Sequence, residues 1–424
     1  MATPAGYRPG PWSCEDGGPD RRQVPRRQEG TFSLAAGDTL EVVSRQAPVA
    51  TMTVTRDRGE VYLLRHTAGD HAISFVERID PTTLEEQERS PDLTGGPTWP
   101  GSVAAHANGS LYVVFGNHAH RLGPDLSVTA STTLPRERPY NGFVIMPDGH
   151  LITKDFAGSR PGTPVPAGER QACELVVLEP DRLEIVDRCT LAEPSIARLS
   201  ADGDHVYVVG DTSLLRARWN GRLRSDDAFR VPYRIHPGQS YGWDCVIASE
   251  AAWFLDNGEG SERYDGSLHG HGVARAPLHL IRIGLETAAL SMAAISDLPG
   301  GLIANPPVVD PDRSIAVGYD SGNGVLRAFD VTAEGILSPR WQRRQEHGGH
   351  LLLSPDRGQL VTGDYDRERA ADQVVVLDIE DGSELARADT GSSIQSVLFP
   401  AAGFDGDLYL CSFTTVSRVS VRTS

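Results

Sequence analysis

Lysine is almost missing from this 424-residue chain: Lys154 stands alone beside 39 arginines. Bases as a class are outnumbered, with 40 Lys and Arg against 57 Asp and Glu, a formal net charge of −17. So acidic a balance excludes a generic nucleic-acid binder, which needs cations to neutralise phosphate. It also argues against docking on anionic lipid, so neither nucleic acid nor membrane is expected as a partner. Cysteines are few and odd in number (Cys14, Cys173, Cys189, Cys245 and Cys411), which excludes a disulfide scaffold. No Cys-x-x-Cys pair or Cys/His cluster offers a zinc site. No run of 18 apolar residues could form a membrane helix. The first thirty residues hold no apolar signal core, so a soluble cytoplasmic protein is expected. Helical periodicity of useful length is missing too, as are a GxSxG elbow, a Walker loop, a Rossmann fingerprint and HExxH.

What is present is a repeat. An apolar run, a tight turn carrying Asp, Asn or Gly, and a second apolar run recur eight times, as in PGSVAAHANGSLYVVF, PSIARLSADGDHVYVVGD and GHLLLSPDRGQLVTGD. The second runs begin near Val61, Leu111, Leu151, Val206, Trp253, Ile315, Leu360 and Leu408. Most of these turns have the chemistry of tight hairpins. A more polar hairpin follows most pairs, as in ELVVLEPDRLEIVDRC and QVVVLDIEDGSELARAD. Four antiparallel strands per repeat, at a period of about 45 to 50 residues, make a β-propeller blade. The reading is an all-β chain with a single propeller over residues 31–424, eight blades of four strands, with seven blades as the alternative. Residues 1–30, rich in Pro, Gly and Arg, are expected to form a flexible N-terminal arm. The last repeat lacks a fourth strand, and FSLAAGDTLEVVSRQ could supply it and close the ring, removing open sheet edges. Cys173 and Cys189 lie symmetrically about Asp181, so paired strands would set them opposite each other. Two reduced thiols are favoured there over a reversible disulfide.

In such a ring, loops entering the inner strand and leaving the second strand share one face. The entering set includes Trp99, Tyr140, Asn141, Glu193, Tyr241, Trp243, Asp244, Asn305, His347 and His350. The leaving set includes His66, Lys154, Asp155, Asp211, Asp256, Asp320 and Asp364. The five aspartates are either turn-bonding groups duplicated by the repeat or a carboxylate ring suited to a cation. Lys154 and Asp155, with Asp244 and His350, are the candidate catalytic residues. A lone Lys in an Arg-rich chain offers a compact ammonium for stabilising negative charge. Trp99, Tyr140, Tyr241 and Trp243 are candidate substrate-binding residues. The insertion from Asp256 to Pro277 is expected to be a lid over the channel, and its His269 and His271 could ligate a transition metal.

Two sets of motifs carry a resemblance. LDIEDGSELARADTG and RIDPTTLEEQERSPDL resemble the outer hairpins of quinoprotein-like and YVTN-type propellers. RPYNGFVIMPDGHLITKD is similar to the Asn-bearing inner strand of the SMP-30, gluconolactonase and strictosidine-synthase-like propellers. The latter resemblance implies a divalent metal (Ca, Mg or Zn) held by Asn141 with Glu193, Asp244 and Asn305 as further ligands. Gly142 follows Asn141 where the family has Asp, the family usually has six blades, and the TGK turn of quinoproteins is here DGSEL. The expected function is a small-molecule enzyme with its ligand in the central channel, a metal-assisted hydrolase, lyase or isomerase. The alternatives are a non-catalytic propeller binding a protein or peptide and, third, a quinone-dependent oxidoreductase.

Overall fold

The computed structural model describes residues 3–26 and 31–423. Eight antiparallel sheets make the eight blades of a β-propeller, four strands pairing in order in each; in the first, a further strand, Leu93–Gly96, pairs with Ala72–Ile79. Blades 1 to 7 span 50–96, 102–133, 140–190, 199–232, 246–294, 308–344 and 352–389. Blade 8 takes three strands from 401–422 and its outermost strand, Thr39–Gln46, from the other end of the chain. That strand pairs in unbroken register, Thr39 opposite Arg422 through Gln46 opposite Thr415. The ring is therefore closed by the N-terminal strand, which covers the outer edge of Thr415–Arg422 that the last repeat leaves unpaired.

Burial follows strand position. Every residue of the inner strands Ala50–Thr55 and Tyr140–Ile145 is buried. The outer strands Ile185–Thr190 and Glu384–Asp389 alternate between exposed and half-buried. The inner strands are wrapped on both faces by neighbouring blades, whereas the outer ones meet water on one side. The outer hairpin turns share a left-handed position. Gly221, Gly335 and Gly382 fill it in blades 4, 6 and 7, but Leu84, Leu126 and Leu183 fill it in blades 1 to 3 at φ of 57° to 65°. Each of these leucines is fully buried. Apolar burial of about 2 kcal/mol offsets a backbone cost of about 1–2 kcal/mol.

The N-terminal arm departs from expectation. Residues 3–26 are not a loose tail; Trp12, Asp16, Arg21 and Gln23 are almost wholly buried. The arm crosses the channel on the face where the inner strands end and bonds to strand after strand. Ala105 N–H donates to Ser13 O, Thr55 N–H to Trp12 O and Ala201 N–H to Pro19 O, at 2.7 to 2.8 Å. Ile247 N–H donates to Asp20 O and Leu353 N–H to Gln23 O. Each of these donors lies near the end of an inner strand, so the arm pairs with the channel wall of blades 1, 2, 4, 5 and 7. The remaining residues of the expected arm, 1, 2 and 27–30, lie outside the described residues.

The cysteine geometry also differs. Cys189 lies opposite Leu175, and Cys173 precedes its strand. The turn sets Leu178 opposite Ile185, one residue off the symmetry about Asp181, and a bulge between Val177 and Leu178 shifts the register by one more. All five cysteines are free thiols.

Two outcomes test these assignments. Trp12→Ala leaves a cavity under the plug and lowers stability by about 4 kcal/mol, measured by urea unfolding. The second concerns Asp372, which is buried with hydrogen bonds from Ser396 N–H and Thr390 Oγ1. Burial pushes its carboxyl up to about 7. The folded chain then holds a proton that the unfolded chain has released between pH 4 and 7. This group weakens the fold as pH rises through that window, with its full cost felt above pH 7. Asp372→Asn therefore raises stability by on the order of 3 kcal/mol at pH 8.5 and changes little at pH 4, read from pH-dependent melting.

Candidate functional site: the covered mouth of the channel

Opposite the arm, the channel mouth opens into a cavity of about 560 Å³. Its walls are mainly aromatic and aliphatic: Trp99, Trp243, Tyr264, Phe399 and Phe413, with Leu268. Trp99 and Trp243 enter from the loops ahead of the inner strands of blades 2 and 5, where the propeller geometry puts mouth residues. Their rings lie 6.4 Å apart at 52°, and Trp99 stacks on Phe156 at 4.3 Å. The floor is polar. The Arg198 guanidinium lies 4.3 Å over Phe399 and donates to Pro100 O at 2.8 Å. Asn305 spends its amide hydrogens on Gly348 O and Val397 O, which orients its side chain at the cavity wall. His66 lies at the edge, its Nδ1–H donating to Thr67 O at 2.7 Å. Burial drives its imidazole down to about 4, so the ring is neutral.

The insertion after Asp256 covers this mouth, as a lid should, but it is docked. Tyr264 Oη donates to Gln395 O at 2.6 Å, and Leu268 N–H to Gln395 Oε1 at 2.8 Å. Gln395 N–H returns a bond to Gly266 O. His269 lies against Glu346 and His271 against Asp265, so the two imidazoles contact separate carboxylates.

Beneath the cavity the tip of the arm builds a buried ion network. Arg21 pairs with Glu15, with Asp16 at 2.7 Å and with Asp244 at 3.9 Å. Arg198 pairs with Glu15, and its N–H donates to Asp244 Oδ1. His350 Nδ1 meets Asp16 Oδ1 at 2.6 Å. Burial works to raise Asp16, but His350 and Arg21 outweigh it and hold the carboxyl below its ordinary range. At Asp244 burial prevails over Arg21 and Arg198, and the carboxyl is raised.

This network bears directly on the divalent metal implied by the sequence resemblance, and the residues do not fit one. Glu193 accepts from Thr212 N–H, Ser213 N–H and Arg230 on the blade, away from the channel. Asn141 Nδ2 donates to Ile196 O, and Asn305 is held by its two carbonyls. Asp244 faces the Arg21 guanidinium, which supplies the cation at this depth. Gly142 lies against the same plug. A Cβ there would come within 3.0 Å of Glu15 Oε1 and 3.3 Å of Arg198 Cγ. Among the described residues no three His, Cys, Asp or Glu side chains are grouped to hold an ion.

The remaining candidates divide. Trp99, Trp243 and Asn305 reach the cavity; Tyr140, Lys154, Asp155, Tyr241 and His350 do not line it. Tyr140 is buried within blade 3, and Tyr241 lies under the Arg170 guanidinium at 4.2 Å. Lys154 is fully buried, with Nζ donating to Asp155 O at 2.8 Å and Ser195 O at 3.2 Å. Its ammonium ties blade 3 to the loop before blade 4. Four of the five repeated aspartates accept main-chain N–H groups from strands or connecting loops, and the fifth, Asp211, pairs with Arg170 at 2.8 Å. Asp155 accepts Glu174 N–H, Asp256 accepts His279 N–H, Asp320 accepts Leu302 N–H and Asp364 accepts Glu346 N–H. Arg198, Phe399 and Phe413 were not singled out in the sequence. Arg198 does occupy an entering position, one residue ahead of Leu199, and so was open to the same geometric rule.

Lys154→Ala accordingly removes three buried hydrogen bonds, to Asp155 O, Ser195 O and Cys173 Sγ, and empties the space its side chain fills between blade 3 and the next loop. The expected result is a loss of about 3 kcal/mol of stability in thermal or urea unfolding. Ligand affinity at the mouth should be unchanged in the fraction that folds.

No family model matches the chain, and no curated protein matches it by sequence. Solved structures match it by fold. The quinohemoprotein alcohol dehydrogenase of Comamonas testosteroni superposes with a TM-score of 0.63 at 11% identity, covering 98% of this chain and 81% of that one. The quinohemoprotein alcohol dehydrogenase ADHIIG of Pseudomonas putida HK5 gives 0.58 at 10% identity, covering 97% and 80%. BamB of Moraxella catarrhalis gives 0.52 at 11% identity, covering 89% and 100%. Proteins named as enzymes are thus among those with a similar fold. The chain thus has the fold of an eight-bladed β-propeller, a fold that these structures share.

Proposed function

We propose that this propeller binds a small, ring-bearing organic molecule in the covered mouth of its channel. The observation that carries this is the cavity of about 560 Å³ walled by Trp99, Trp243, Tyr264, Phe399 and Phe413. That volume lies in the range of small-molecule sites, which are mostly apolar with a few fixed polar groups. Flat aromatic walls at inclined angles favour a flat ligand through stacking and edge contacts. Arg198 and Asn305, each held by main-chain carbonyls, provide orienting polar groups whose positions do not depend on the ligand.

A protein or peptide partner is less well supported at this face, because the aromatics lie in a recess beneath a docked insertion and not on an open rim. Metal-assisted hydrolysis or elimination lacks its donor set, and no step is derived through a metal.

A fragment screen of uncharged aromatic compounds by thermal shift and ligand-observed NMR tests the reading. Hits should compete for one site and quench tryptophan emission. Trp99→Ala should weaken them at least tenfold, about 1.4 kcal/mol or more. Failure of every fragment at millimolar concentration, or undiminished binding in both Trp99→Ala and Phe413→Ala, would overturn it.

A further inference from the structure

Beside the cavity runs a second hollow of about 660 Å³, and its chemistry is the reverse. Arg136, Arg138, Arg160 and Arg170 all line it, in a chain whose net charge is −17. Arg136 and Arg138 come from the loop that enters blade 3. Arg160 and Arg170 come from residues 156–173, the connection between that blade's second and third strands. The two hollows adjoin. Arg160 and Thr163 belong to the walls of both, and the Trp99–Phe156 stack stands between them.

Each of the four guanidiniums has a carboxylate partner, but two of them share one. Arg136 and Arg138 share a single carboxylate, Asp155, at 3.3 and 2.6 Å. Arg136 Nε lies 3.8 Å from Glu174, but that carboxylate is also engaged by Arg188 at 2.8 Å. Arg170 pairs with Asp211 at 2.8 Å and Arg160 with Asp70 at 3.0 Å. Glu137 and Glu169 also line the groove, both exposed to solvent. Arg136 and Arg138 keep about a quarter of their side-chain surface open. Arg170 is nearly buried, its Nε donates to Ala157 O, and its Nη2 has no acceptor. Guanidinium groups fixed in this way present planar forks suited to carboxylate or phosphate.

We infer that the groove is an anion subsite continuous with the aromatic cavity, so that the ligand is an amphipathic organic anion. Its ring body occupies the cavity and its carboxylate or phosphate reaches past Arg160 toward Arg138 and Arg136. This inference rests on the proposed binding function and adds the charge and shape of the molecule bound.

The test uses the full chain and a matched series: naphthylalkanoates with one to four methylenes and the corresponding uncharged alcohols. At low salt at least one acid should bind tenfold or more tightly than its alcohol. Added sodium chloride should shrink that ratio. Arg138→Gln should cut the ratio at least threefold while leaving alcohol affinity unchanged, and Arg138→Lys should recover part of it. Melting curves of each variant establish that the fold persists. Acid and alcohol binding equally, or a ratio untouched by Arg138→Gln, overturns the anion subsite and leaves the cavity reading standing. Inorganic phosphate, tested alone by thermal shift, separates the remaining case. Stabilisation by phosphate that Arg138→Gln removes, with no alcohol bound, supports the groove and rejects the cavity; neither probe binding rejects both.

Discussion

The structure depends on a buried exchange of charge at the propeller axis. Arg21, carried by the N-terminal arm, meets Glu15 and Asp16 of the same arm and Asp244 from the wall of the channel. Arg198 answers from the wall to Glu15. Ions taken out of water are expensive unless each finds partners, and removing one partner typically costs 3–5 kcal/mol, an order-of-magnitude guide. The arm and the blades are therefore complementary at the axis: neither can satisfy its charged groups without the other. Main-chain bonds from the arm to the ends of five inner strands secure the same contact.

That plug determines what the mouth can do. In an open channel, acidic groups around the axis would call for an external cation. Here a guanidinium from the chain itself occupies that place, and a Cβ at Gly142 would come within 3.0 Å of Glu15 Oε1. The open volume lies outward, toward the face where Trp99 and Trp243 enter and where two long insertions gather. One insertion walls an aromatic cavity, and the other brings arginines to its flank. The scaffold supplies the position, while irregular segments supply the chemistry, which is the usual division of labour between sheets and loops.

Much of the architecture was legible in local sequence. The second strands of the eight pairs begin at Val61, Leu111, Leu151, His205, Ala251, Ile315, Gln359 and Leu408, within two residues of the positions read from the repeat. The closing strand was equally legible, because the last repeat was one strand short and an unpaired β-like segment remained near the N-terminus. The site was legible only in part. Trp99, Trp243 and Asn305 follow from the rule that entering loops face the mouth. Lys154 and Glu193 satisfied similar positional rules, yet their side chains serve the blades. Position along a repeat says which face a loop reaches; side-chain direction depends on neighbouring carbonyls and cations from other blades. The Cys173–Cys189 pairing failed for a related reason, since the turn and the bulge at Val177 and Leu178 each shift the register by one residue and no symmetry of spacing reveals either.

The sequence by itself determined the repeat and the strand that closes the ring, and left the blade number at eight or seven. These rest on alternating apolar patterns and turn residues that act over a few neighbours. Tertiary structure alone decided the fate of the arm. Pro, Gly and Arg in residues 3–26 read as a solvated tail because their partners, Asp244, Arg198 and His350, lie far along the chain. It also decided that the single lysine is a brace and that Arg160 stands between two hollows of opposite character. Long-range ion pairing and cavity shape come from assembling the blades into a ring, and no local window of sequence contains that information.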